Sequence, residues 1–125
     1  MNFGLLGKVY TDGERIVTQG EVGHCMYVIQ KGKVEVFVES ENCEAVLATL
    51  KPGAVFGEMA LFSKEPRSAS VRAKGKTRIL TIDKRAFFKR VQEDPSLAFR
   101  ILQKMSKRVK KLNTELIRFK TGQDL

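Results

Sequence analysis

Apolar and polar residues alternate in short runs along the first two-thirds of the chain, which is the pattern of half-buried β-strands. In the clearest run, residues 34–39, three valines point to one face, and two glutamates flank Phe37 on the other. Turn-forming residues separate further runs at 9–10, 15–18, 26–29, 44–50, 70–73 and 78–83. Many short strands of this kind predict an antiparallel sandwich or jelly roll, and Asp12-Gly13 predicts a hairpin between the first two.

After Asp83 the pattern becomes helical. Asp83 can cap a short helix over residues 84–93, and the proline-containing break that follows opens a long helix over residues 95–120. Apolar positions in the long helix alternate at spacings of four and three, forming a heptad seam of Ala98, Leu102, Met105, Val109, Leu112, Leu116 and Phe119. An amphipathic helix packed only on its own domain normally has a wider stripe, so the narrow seam favours a homodimer formed through this helix, from Leu102 onward.

Length and composition fit one folded domain, with 125 residues, 42% hydrophobic and 30% charged. We therefore expect a single domain, comprising a jelly roll over residues 1–83 and the two helices. The longest uncharged run, residues 22–30, is too short to cross a membrane, and residues 1–8 are too short and glycine-rich for an export signal. Without such a signal, Cys25 and Cys43 are expected to be reduced thiols in a cytoplasmic protein.

The net charge of +9 suggests an anionic partner. Most of this charge follows Asp94, where eight basic and two acidic residues leave a net +6. These side chains are expected to form the solvated outer face of a coiled coil, and contact with nucleic acid or an anionic surface is the alternative. One histidine and two cysteines provide neither a zinc centre nor a recognisable nucleophile set, so we expect no metal site and no enzymatic activity.

Residues 56–71 contain the candidate ligand-binding groups of the chain. Gly57 can adopt a positive φ or let the backbone approach a ligand closely. Met59-Ala60-Leu61 can form one helical turn, and the first N–H groups of such a turn can bind an anion. The segment therefore predicts a binding loop at an anionic group.

Charged side chains flank this turn. Glu58 can accept hydrogen bonds from hydroxyl groups, and Arg67 presents a planar fork that suits the oxygens of a phosphate. Ser68 and Ser70 add small hydroxyl donors. Phosphate donors beside an acceptor for hydroxyls indicate a sugar phosphate or a nucleotide, and a Glu58–Arg67 salt bridge in a surface loop is the alternative.

The string Phe-Gly-Glu-Met-Ala-Leu-Phe at residues 56–62, followed by Pro-Arg-Ser-Ala-Ser-Val at 66–71, closely resembles the phosphate-binding cassette of the cyclic nucleotide-binding domain family. That family includes the bacterial catabolite activator protein and the regulatory subunit of cyclic AMP-dependent protein kinase. Residues 22–36 resemble its glycine-punctuated strand pair, and the segment after Asp83 resembles its two C-terminal helices. The resemblance implies an antiparallel β jelly roll that encloses a cyclic nucleotide and signals through its helices.

The resemblance also implies residue roles. Gly57 would let the backbone close on the sugar phosphate, Glu58 would accept the ribose 2′-hydroxyl, and Arg67 would pair with the cyclic phosphate. Met59 and Ala60 would offer backbone N–H groups. The other ligand-binding positions would be Phe56, Ser68 and Ala69.

The choice of base depends on Ser68 and on the long helix. In the catabolite activator protein, paired hydroxyl residues on that helix reach the adenine, and the matching positions here are Leu112 and Asn113. Leu112 cannot hydrogen-bond, Asn113 could reach the base, and Ser68 is compatible with either base. We expect cyclic AMP as the ligand, with cyclic GMP as the alternative.

The expected function is a non-enzymatic cyclic nucleotide sensor whose output passes through an effector protein or its own dimer. One alternative is a jelly roll that binds no ligand and serves only for dimerisation. The other is a basic accessory protein that contacts nucleic acid. Since no helix-turn-helix region follows the long helix in these 125 residues, sequence-specific DNA binding is not expected.

Overall fold

The structure, a computed structural model, describes residues 5–120, with side chains to Arg118, and the chain divides into two units, Met1–Phe87 and Phe88–Leu125. The first unit contains the sheet, one short 3-10 turn and the beginning of a helix. The second contains the remainder of that helix and a longer one. The described elements are β1 (Lys8–Tyr10), β2 (Arg15–Val17), β3 (Cys25–Ser40), β4 (Cys43–Leu50), β5 (Val55–Phe56), the 3-10 turn (Glu58–Leu61), β6 (Ser70–Asp83), α1 (Lys84–Glu93) and α2 (Ser96–Lys120).

All pairings between the described strands are antiparallel. The main path runs β1-β6-β3-β4, and the short strands β2 and β5 pair with β6 and β3 respectively. The path along the described strands is open and does not close on itself. A mainly antiparallel sheet followed by C-terminal helices confirms the predicted fold class.

Strands β3 and β6 are longer than the sequence pattern predicts. Predicted breaks at Gly32 and around Gly75 are instead irregularities within continuous strands, where the register shifts on both sides of Lys31. Gly32 has φ 82° and Gly75 has φ 75°, so both bend the chain without ending the strand. The buried Thr77 hydroxyl donates to the Lys33 carbonyl at 2.9 Å and holds the two strands together at the bend.

The hairpin predicted at Asp12-Gly13 is wrong. Strands β1 and β2 do not pair with each other in the described sheet, because each pairs with a different half of β6. The Gly13 amide donates to the Ala73 carbonyl at 2.8 Å, and the Asp12 carboxylate accepts from the Gly75 amide at 2.6 Å. The turn is thus tied to the bend in β6.

Phe37 is fully buried, although the alternation places it on the same face as two glutamates. The guanidinium carbons of Arg72 and Arg15 lie 4.2 and 5.1 Å from its ring centroid. These arginines also form ion pairs with Glu35 and Glu39. Charged side chains therefore cover this ring, while a hydrophobic core cluster is formed by Tyr10, Val17, Ile29, Val34, Phe56, Val71, Ala73 and Ile79.

In the second unit, most of the seam of α2 is exposed. Ile101 is buried and Met105 is half-buried, whereas the apolar side chains that follow at heptad spacing are more than half exposed. The exposed seam positions are Leu102, Val109, Leu112 and Leu116, and the side chain of Phe119 lies outside the described residues. Neither described helix combines the length and apolar character needed to span a membrane.

Candidate functional site

Strand β5 brings the start of the cassette to the first residues of β3. Tyr27 pairs with Phe56 across the two strands, and their rings stack with centroids 5.0 Å apart. Phe56 is buried and Tyr27 is half-buried. This pairing fixes the position of Gly57 and Glu58, which follow Phe56 directly.

Both the backbone conformation and the close neighbours at position 57 require a glycine. Its φ of 75° is in the left-handed region, which favours glycine. A Cβ there would lie 2.7 Å from Nη1 of Arg67 and 3.2 Å from Cδ2 of Tyr27. The positive φ expected of Gly57 is therefore present, and the chain approaches the guanidinium of Arg67 at this point.

The predicted helical turn is a 3-10 turn, Glu58–Leu61, that begins directly after Gly57. The Ala60 amide donates to the Gly57 carbonyl at 3.2 Å, so this amide is used within the turn. The Met59 amide lies in the first turn, where helix geometry provides no intrahelical acceptor. The Met59 side chain is exposed.

Glu58 is buried, with 2% of its surface exposed. It does not lie on a surface loop, as the salt-bridge alternative requires. Because buried polar groups require hydrogen-bond partners, a carboxyl group in this position is suited to donors such as hydroxyls.

The Arg67 guanidinium lies against the main chain of β3 and the cassette. Nη2 donates to the Cys25 carbonyl at 3.0 Å, and Nη1 donates to the Gly57 carbonyl at the longer distance of 3.5 Å. Its Cζ lies 5.6 Å from the ring centroid of Tyr27, within the range of a cation–π contact. The guanidinium is half-buried and placed beside the start of the turn.

The thiol and the phenol beside Arg67 are both neutral near pH 7. Burial raises the pKa of the Cys25 thiol, and Asp83 adds to this effect while Arg67 opposes it. Burial also raises the pKa of the Tyr27 phenol, again against the effect of Arg67. Arg67 thus supplies positive charge at a point where neither the thiol nor the phenol offsets it.

The serines of the cassette have different environments. Ser68 is exposed and Ala69 is half-buried, both directly after Arg67. Ser70 is fully buried, and its hydroxyl accepts a hydrogen bond from the Gln19 amide at 2.8 Å. This hydrogen bond holds Ser70 to the segment before β3 and leaves its O–H group free to donate, so the role of Ser70 as a hydroxyl donor stays a prediction. Asn113 is exposed on α2 in the second unit, and its contact with the base stays a prediction.

Sequence reasoning missed the residues that surround Arg67, namely Gly23, Cys25 and Tyr27. They lie about 40 positions away in the chain, and no local motif connects them with Arg67. The one sequence signal that could have pointed to them is Gly23, a glycine shortly before the predicted strand at residues 26–29. Among the described residues, no group of three or more histidine, cysteine or carboxylate side chains could hold a metal ion, and both cysteines are free.

Comparison with known proteins identifies the family of this site. The family model of the cyclic nucleotide-binding domain matches residues 7–94, which include the sheet and the whole cassette. The chain belongs to the cyclic nucleotide-binding domain family. A cAMP-dependent protein kinase regulatory subunit from Blastocladiella emersonii is 43% identical over 79 residues, which are 62% of this chain and 20% of the subunit.

Solved structures of cyclic nucleotide-binding proteins have the same fold. The catabolite activator protein of Thermus thermophilus matches with a TM-score of 0.82 and 30% identity, over 90% of this chain and 54% of that protein. The EAL enzyme Bd1971, in cAMP-bound and cGMP-bound forms, matches with TM-scores of 0.63 and 0.64 at 32% and 30% identity. These matches cover 92% and 93% of this chain but 31% and 32% of the enzyme. The chain thus spans about a fifth to a half of these relatives, and the predicted jelly-roll fold is confirmed.

Proposed function

We propose that this chain binds a cyclic nucleotide, preferentially cyclic AMP, and acts as a non-catalytic regulatory sensor. The observation that carries the proposal is the guanidinium of Arg67 at Gly57, directly before the buried Glu58. This arrangement combines a fork for phosphate with an acceptor for hydroxyls at one bend of the main chain. Relatives named for cyclic AMP support the choice of base.

The cyclic phosphate would bind to Arg67 and to the beginning of the 3-10 turn. A guanidinium has five N–H donors, and the hydrogen bonds to Cys25 and Gly57 use two of them. The remaining donors and the Met59 amide would face the phosphate, with Ala60, Ser68 and Ala69 lining the same pocket. Phe56 would support the pocket through its stack on Tyr27.

Titration calorimetry of the wild-type chain tests the proposed function. Cyclic AMP is expected to bind with a micromolar Kd and more tightly than cyclic GMP, while linear 5′-AMP serves as the control for a non-cyclic phosphate. Binding of neither cyclic nucleotide below millimolar concentration would refute the proposal. A folded dimer that binds neither would instead favour the ligand-free interaction module.

Glu58→Gln is expected to weaken cyclic AMP binding about tenfold. The amide keeps the size of the buried side chain, but its hydrogen bond to the ribose 2′-hydroxyl loses the negative charge, a difference of roughly 1–1.5 kcal/mol. For 2′-deoxy cyclic AMP, which lacks that hydroxyl, wild type and variant should bind equally. Calorimetry with both nucleotides measures the four affinities. If the substitution weakened both ligands to the same extent, the contact between Glu58 and the 2′-hydroxyl would be disproved.

Signal output would pass through α2 and an effector protein whose identity the family relationship leaves open. The exposed seam of α2 supports a homodimer, since Leu102, Val109 and Leu116 recur at seven-residue spacing with Leu112 between them. Binding would shift the population between two arrangements of the helices. A homodimer formed through α2 would couple the two copies of the chain in this shift.

A further inference from the structure

The main chain of Arg67 is fixed by the segment that precedes β3. The Arg67 amide donates to the Glu21 carbonyl at 2.8 Å, and the Gly20 amide donates to the Arg67 carbonyl at 2.8 Å. These two hydrogen bonds hold Arg67 against two successive residues of the segment, as in a β-bulge and not as in a regular one-to-one antiparallel pair. The same segment continues into the residues that contact the guanidinium.

Gly23, the Cys25 carbonyl and the Tyr27 ring surround the guanidinium, and we call these three groups the arginine cradle. The carbonyl accepts from Nη2 at 3.0 Å, and the Tyr27 ring lies 5.6 Å from Cζ. Tyr27 is itself held by its stack on Phe56. The orientation of the fork is therefore set by contacts within the protein.

Gly23 provides the space that the guanidinium occupies. A Cβ at this position would overlap Nη2 of Arg67, and the backbone of Gly23 is not in the left-handed region. Alanine is consequently compatible with the main chain but not with the present position of the guanidinium. Because the clash is with the end of a flexible side chain, the expected response is displacement of the fork and not unfolding.

We propose that the arginine cradle sets the direction in which Arg67 faces the phosphate, so that Gly23 and Tyr27 are positioning residues that act through Arg67. This inference rests on the proposed function and adds residues outside the cassette to the site. Arginine has many rotamers, and a cradle that holds one of them in advance removes part of the ordering cost of binding.

Gly23→Ala is expected to weaken cyclic AMP binding about tenfold, the lower end of what one charge-assisted hydrogen bond contributes. In an Arg67→Lys background the same substitution should change the Kd less than twofold, because lysine places no guanidinium against the added methyl group. Gly53→Ala is the matched control. Its Cβ meets nothing within 4 Å, but φ is +90°, so it should lower the melting temperature and leave the affinity unchanged.

A second readout needs no ligand. In NMR spectra, the Arg67 Nε–H signal of the wild type should exchange slowly with water and be shifted by the Tyr27 ring. Gly23→Ala and Tyr27→Leu should both abolish this shift. If the wild type binds no cyclic nucleotide, the proposed function fails, and this signal still decides whether the cradle exists. An unchanged signal in Gly23→Ala, or equal losses of affinity in the wild-type and Arg67→Lys backgrounds, would overturn the proposal.

Discussion

Replacing Arg67 with alanine is expected to weaken cyclic AMP binding by roughly 100-fold or more. The fork would pair with the cyclic phosphate through charge-assisted hydrogen bonds, which contribute about 1.5–3 kcal/mol each. Cys25 and Tyr27, which contact the guanidinium, cannot carry a positive charge, so neither can replace it. Arg67→Lys should be intermediate, since it keeps the charge and loses the fork.

Arg15→Ala is the control for this measurement. It removes the same charge from an exposed arginine that pairs with Glu39 on the sheet, so its effect on affinity should stay within twofold. Titration calorimetry gives the Kd of each variant, and thermal unfolding establishes that each is folded. Equal affinities of the Arg67→Ala and Arg15→Ala variants would exclude Arg67 as the phosphate partner.

The course of the chain was predictable from the sequence wherever a local rule decides the structure. Gly57 is such a case, because a glycine before a one-turn helix can take the positive φ that the structure has. Gly32 predicts a break between two strands but lies at a bend within β3, since a glycine in a strand can either end it or distort it. Its partner strand decides between these outcomes, and β6 bends at Gly75 opposite β3.

The surroundings of Arg67 could not be predicted, because they depend on contacts between distant parts of the chain. Cys25 contributes its carbonyl oxygen, which every residue type possesses, so its identity carries no signal. The sequence pattern predicts that Tyr27 is a strand residue. Its contact with the guanidinium of Arg67 depends on which loop packs against its ring. The burial of Phe37 could not be predicted for the same reason, since the guanidinium groups that cover its ring belong to Arg15 and Arg72 on other strands.

These long-range contacts explain why the cassette alone is an incomplete description of the site. The cassette supplies the fork and the buried carboxyl group, whereas the segment before β3 determines where the fork lies. A chain with an intact cassette and a side chain at position 23 would keep its motif and have a displaced arginine. Family membership therefore predicts the ligand class better than it predicts affinity.

The second large effect is expected from a substitution in the exposed seam of α2, which should change the oligomeric state. Leu112→Glu is expected to convert a dimer into monomers, because it places a charge in an apolar layer of the coiled coil. Burying one leucine contributes about 1.5–3 kcal/mol, and the symmetric dimer loses two, so dissociation should be favoured by roughly 100-fold or more. Glutamate is a good helix former, and the helix itself should remain intact.

Gln103→Glu provides a control with the same change in charge. Gln103 directly follows the seam residue Leu102 and lies outside the seam, and its side chain is exposed. Sedimentation equilibrium of both variants and the wild type between about 1 and 100 µM separates the outcomes. At protein concentrations at which Leu112→Glu is a monomer, the wild type and Gln103→Glu should be dimers. A wild-type monomer throughout this range would leave the exposed seam without a second copy of the chain as its partner, and the homodimer would be rejected.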